Sequence, residues 1–199
     1  MNYAELVQAV VDITDRDELV PQIQYAIAKA TLKLHLADFW LRDLVEKKIT
    51  ADVVDGLRNE IYISSQLAGF RALQYVNGWD DSVTPGSVMQ QFTENPPATI
   101  RDQYGIRNWN VYYLAGDVLT LWASPVPPKF LISWWALPKV DKTDYNSWIA
   151  DIAPFAIVDE ASVEIFGSVG DADEAGRRSK MFLPNLQLIR TNSIEASGR

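Results

Sequence analysis

The chain has 199 residues, 48% of them hydrophobic, with no cysteine, a single histidine (His35) and 18 basic against 26 acidic side chains, for a net charge of −8. The lack of cysteine excludes disulfides, cysteine-ligated zinc, iron–sulfur clusters and thiol nucleophiles, and one histidine leaves a Ser-His-Asp triad possible only through His35. A pI near 4.6 disfavours general affinity for nucleic acid or anionic lipid, and no apolar run approaches the roughly 18 residues of a membrane span.

The opening residues, MNYAELVQAV, carry an early glutamate and no basic run, and read as a helix start rather than a secretory leader. Asn2 is a helix cap with Glu5 three positions on, and Leu6, Val7, Val10 and Val11 form one apolar stripe. Asp15-Arg16-Asp17 breaks this helix. Pro21 suits the first turn of a second, whose stripe is Ile23, Ala26, Ile27, Ala30, Leu34 and Ala37. The two form a hairpin over residues 2–38, with His35 beside the stripe near the second helix's C-terminal end, where its role is structural or superficial.

From Trp40 to about Leu137 the period shifts toward strands. Asp55-Gly56 marks a turn, Ile61 and Ile63 alternate with polar neighbours, and Leu73, Tyr75 and Val76 lead to Asn77-Gly78, which signals a hairpin. Residues 80–108, with Pro85-Gly86 and Pro96-Pro97, read as a long loop with one helical turn around Val88–Phe92, a length usual for functional or partner-ordered segments. Val111–Leu114, the turn Ala115-Gly116-Asp117 and Val118–Trp122 make a hairpin, and Phe130–Trp135 a further strand.

Helix returns at Asp151-Ile152-Ala153-Pro154, followed by Phe155, Val158, Ala161, Ile165 and Phe166. Gly167 and Gly170 break it. Asp171, Asp173 and Glu174 suit the first turn of another helix and Arg177, Arg178 and Lys180 its later turns, with Pro184 expected to stop or kink it. Residues 191–199 read as a flexible or partner-ordered tail. The expectation is a single α+β domain over 1–190: helical hairpin, antiparallel β-meander (40–138) and C-terminal helices (150–190) with an extended tail.

Chemical motifs are sparse. No phosphate-binding GxxxxGK[ST] or GxGxxG occurs, nor GxSxG, nor HExxH. Glu160 and Glu164, four apart, share a helix face and are the one candidate carboxylate pair for acid/base work. Neither a metal site nor a cofactor is expected. Between Arg177 and Arg199 five cations (Arg177, Arg178, Lys180, Arg190, Arg199) meet one carboxylate, Glu195, giving this segment +4 and residues 1–176 −12. The aromatics gather in the β region (Trp79, Trp109, Tyr112, Tyr113, Trp122, Trp134, Trp135), where cations are too sparse for base stacking, so sheet core and protein contacts are the expected use.

In order along the chain, Tyr3-Ala4-Glu5-Leu6-Val7, Asp17-Glu18-Leu19-Val20-Pro21-Gln22-Ile23, Ile61–Ile63 with Leu67–Leu73 and Asn77-Gly78, Tyr112 through Pro125, Trp134-Trp135-Ala136-Leu137-Pro138 and Asn146–Pro154 form a series of landmarks. Their joint order, from about Tyr3 to Ile189, resembles the head–tail adaptor (connector) proteins of tailed bacteriophages. Pro184 and the length of the 80–108 loop depart from that pattern. The resemblance implies a structural virion protein at the neck, made in the host cytoplasm, with no enzymatic activity. It would form a ring of about twelve copies under the portal protein, extend the channel through which genomic DNA passes without specific binding, and carry a downstream tail or nozzle protein. Portal contact is expected from Arg177, Arg178, Lys180, Phe182, Leu186, Leu188, Ile189 and Arg190. A tail-facing loop is expected from Trp79, Asp80, Asp81, Phe92, Arg101, Arg107 and Trp109. The alternative is a virion-associated, carboxylate-dependent glycan hydrolase that uses the tryptophans as a sugar platform and Glu160 or Glu164 as its acid or base.

Overall fold

The structure, a computed structural model, describes residues 1–55, 57–80, 90–99 and 108–195. Its elements are α1 (Tyr3–Thr14), α2 (Val20–Leu36), β1 (Leu44–Ile49), β2 (Asp52–Asp55), β3 (Arg58–Tyr62), α3 (Ile63–Gln66), β4 (Phe70–Trp79), β5 (Gln90–Gln91), β6 (Thr93–Glu94), β7 (Val111–Ala115), β8 (Val118–Trp122), β9 (Lys129–Ala136), α4 (Trp148–Ile152), α5 (Pro154–Val169), α6 (Ala172–Ser179) and α7 (Phe182–Glu195). The fold is α+β. Where the sequence suggests one domain, contacts gather into two compact units: a helical one from both chain ends (Met1–Asp43 with Leu137–Arg199) and a β unit, Leu44–Ala136, which lies between those two stretches in sequence.

The helical unit starts as its sequence dictates. Asn2 accepts from the Glu5 amide and Glu5 answers at the Asn2 amide, a complete capping box at the first turn of α1. Pro21 sits in the first turn of α2 and Pro154 at the start of α5, positions where a missing N–H costs little. Gly170 ends α5 at φ 84°, a left-handed cap that only glycine adopts freely, and Asp171 then caps α6 by accepting from Glu174 N. The apolar stripes of α1, α2 and α5, with Ile149 of α4, close a core of Leu6, Val10, Ile23, Ile27, Leu34, Ile149, Ile157 and Ile165.

Two expectations fail in this unit. Pro184 neither stops nor kinks a helix: α6 has already ended at Ser179, and Pro184 falls in the first turn of α7, where its ring meets no preceding helical turn. The tail expected from residue 191 is helical through Glu195, and Ser193 in it is 5% exposed.

In the β unit the strands form two sheets, of orders β1-β9-β4-β5 and β2-β3-β8-β7-β6, so the strand order is not the sequential one of a meander. Among the described residues all strand pairings are antiparallel except β6 with β7. The core comprises Ile61, Leu67, Val76, Leu119, Leu121, Phe130, Ile132 and Trp134. Asn77-Gly78 is not a turn: both residues lie in β4, paired with Leu131 and Phe130 of β9 and with Gln91 and Gln90 of β5. A Cβ on Gly78 would stand 3.1 Å from Pro127 Cγ and 3.2 Å from Gln90 Cβ, so this glycine permits close approach rather than reversal. The helical turn expected near Val88–Phe92 is replaced, among the described residues, by strand β5 and a buried Phe92 edge-on to Phe130 at 5.5 Å.

Candidate functional site

The helical unit carries an apolar groove of about 850 Å³ between α2 and α7. Its walls are Tyr25, Ala28, Leu32 and Leu36 from α2 and Phe182 and Leu186 from α7, with Ala37, Val140, Lys29 and Lys33 completing the lining. The α2 positions recur at helical spacing, so they form a stripe along one face, about 16 Å from Tyr25 to Leu36. That face is opposite in kind to the buried stripe of the same helix. Tyr25 is 68% exposed and Leu36 50% exposed, and on α7 Leu183 reaches 69%.

Paired charges frame the groove. Lys29 meets Glu164 of α5 at 3.0 Å, and Lys33 pairs with Glu160 while its ammonium lies 4.6 Å from the Phe182 ring centre. The Glu164 carboxylate holds the Lys29 ammonium above its ordinary pKa, first through their hydrogen bond and then through its charge. Arg190 of α7 reaches Asp38 at 2.7 Å. Glu160 and Glu164, the candidate catalytic pair, therefore serve as anchors for lysines of α2.

The expected portal-contact residues divide by environment. Phe182 and Leu186 line the groove, and Leu188 is 51% exposed on α7. Ile189 is corrected: it is fully buried in the helical core, because the turn of α7 that exposes Leu188 directs its neighbour inward. Arg177 pairs with Glu174 at 2.9 Å and Arg178 with Asp159 at 2.7 Å, so much of the basic segment is matched locally; Lys180 caps α6 and is exposed.

Of the expected tail-facing residues, Trp79 ends β4 with the Lys48 ammonium 4.2 Å from its ring centre, and Asp80 follows it half-buried. Trp109 is 40% exposed. Phe92 is corrected: 5% exposed, it belongs to the sheet core. Asp81, Arg101 and Arg107 lie outside the described residues.

The α2 wall of the groove was missed by the sequence reading, although Tyr25, Leu32 and Leu36 at spacings of seven and four form a second apolar stripe beside the first. Among the described residues no group of three or more acidic or histidine side chains could hold a metal ion, and no helix is long and apolar enough to cross a membrane. No family model matches the chain, and no curated protein gives a significant match.

Proposed function

We propose that the protein is a head–tail adaptor of a tailed phage: a structural neck component that docks on the portal ring, assembles there in about twelve copies, and joins it to a downstream tail protein. The single observation that supports this best is the α2–α7 groove. A groove face with Tyr25 and Leu36 both at least half exposed is costly in water and is the kind of surface that a partner covers. Its two helical walls and three-turn length suit an apolar helix laid lengthwise, the mode in which affinity comes from anchors at i, i+3/i+4 and i+7. The acidic charge of residues 1–176 suits a channel lining past which DNA must slide, because few phosphate contacts can form to hold it.

The test is to mix the protein with the portal ring from the same genome and weigh the complex by mass photometry. Templated docking adds about 270 kDa, about twelve copies of a 22.4-kDa chain. Replacing Tyr25 and Leu36 together by glutamate abolishes the gain while the circular dichroism spectrum stays native. A wild-type protein that adds no mass at micromolar concentration removes the portal as direct partner.

A further inference from the structure

His35 is the chain's only histidine and is 1% exposed. Its Nδ1 lies 2.9 Å from both carboxylate oxygens of Asp43, and its Nε2 lies 2.9 Å from Ser147 Oγ. All three residues belong to the helical unit. Proton positions follow from what the neighbours require. An ionised Asp43 only accepts; it also takes Trp148 Nε1–H at 2.6 Å, so His35 Nδ1 must present a hydrogen to it. A neutral imidazole protonated at Nδ1 has a bare Nε2, and Ser147 donates to it. Further out, Thr31 gives its one hydroxyl proton to Ile27 O at 2.8 Å and so accepts from Tyr145 at 2.8 Å. The Tyr145 oxygen can then only accept from Ser147, so the Ser147 proton has two acceptors, His35 Nε2 and Tyr145 Oη, and its rotamer toward His35 is the reactive one.

That is the polarity of an activated serine: nucleophile on base, base held in one tautomer by a buried carboxylate. Ser147 also lines a polar pocket of about 610 Å³, together with Lys142, Thr143 and Asn146. Ammonium, hydroxyl and amide groups are the donor types that stabilise the oxyanion of a tetrahedral intermediate.

We propose that the helical unit carries a second function, the hydrolysis of small polar esters, with Ser147 as nucleophile, His35 as general base and Asp43 as a positioning residue. Ser147 Oγ bonds to the acyl carbon while its proton passes to His35 Nε2. The bond from that carbon to the alkoxide oxygen breaks, and His35 returns the proton to the departing alcohol. Water then repeats the sequence on the acyl-serine, releasing the carboxylic acid and restoring Ser147. The function is independent of portal docking.

The experiment treats the full chain with a short-chain fluorophosphonate, chosen because Ser147 is only 5% exposed. Phosphorus stands in for the acyl carbon and fluoride for the alkoxide. One adduct is expected by intact mass, mapped by peptide sequencing to Ser147. It is absent from Ser147→Ala, which keeps the native circular dichroism spectrum, and forms about 100-fold more slowly in His35→Gln. Asp43→Asn, which loses the tautomer control, also reacts slowly and with an altered pH profile. A folded wild-type protein that stays unlabelled after a day in millimolar probe overturns the proposal, as does an adduct that survives in Ser147→Ala. Either result leaves the three residues as a structural tie among α2, the turn at Asp43 and α4.

Discussion

At the scale of single residues, His35 ties three segments of the helical unit together. It fixes the C-terminal end of α2 to the turn at Asp43 and to the start of α4, and it packs edge-on against Trp148 at 5.6 Å. Removing it leaves Asp43, 6% exposed, with a buried charge held by Trp148 alone. His35→Leu should therefore cost about 3 kcal/mol, in the range for stranding one partner of a buried pair, against about 1 kcal/mol for Ser147→Ala. Urea unfolding of the full chain checks both, and equal small losses would mean the pair is open to water. Sequence alone could put His35 beside an apolar stripe, but not name Asp43 and Ser147, because Ser147 is 112 positions away and the contact depends on tertiary packing.

Tyrosine burial gives a second residue-scale prediction. Burial pushes the Tyr145 hydroxyl above the ordinary value of 10.0, with the hydrogen bonds to Thr31 and Ser147 working in the opposite direction, and burial raises Tyr3 as well. A raised folded pKa means that the unfolded chain loses its proton first. Stability is therefore complete below about pH 10 and falls as pH climbs through the folded values. Urea midpoints followed from pH 8 to 11 should decline at the alkaline end, and Tyr145→Phe should decline less. An equal decline in that variant would assign the effect to other groups.

The elements show where local sequence rules suffice and where they give way. Caps and first-turn prolines are local chemistry, so the starts of α1, α2 and α6 were legible from Asn2, Pro21 and Asp171. Pro184 was misjudged because its meaning depends on where the preceding helix ends. Two helices meet at Lys180–Met181, and a proline three residues into the second one disturbs little. Pro184→Ala should accordingly change stability by less than about 0.5 kcal/mol, whereas relief of an interior kink would add about 3. Gly78 failed the local rule for the opposite reason: Asn-Gly favours a turn, but β9 and β5 on its two sides hold it extended, and Pro127 fills the space above it. Gly78→Ala should lower the thermal midpoint by several degrees, since about 1 kcal/mol of overpacking matters in a unit this small. No loss would show that Pro127 yields freely.

At the scale of the whole molecule, the division into a helical unit and a β unit was hidden because the sequence presents α, β and α segments in order, which describes one layered domain equally well. Only pairing reveals that the β segment starts and finishes at one place. Leu44 and Trp135 are direct partners in the β1–β9 ladder, so the two chain crossings into the helical unit lie about 5 Å apart. A gap of that size needs little chain to span it. A shortened chain with residues 44–136 replaced by three glycines should therefore fold on its own, because the apolar core of Leu6, Ile27, Leu34, Ile157 and Ile165 draws on no residue of the β unit. Its circular dichroism should be helical, with a single cooperative thermal transition. If the α2–α7 groove carries portal docking, this shortened chain should still bind the portal ring, and the Tyr25 and Leu36 glutamate pair should abolish that binding too. A shortened chain that folds but fails to dock would assign the contact to the β unit, while one that melts without cooperativity would show that the helical unit depends on the β unit for stability.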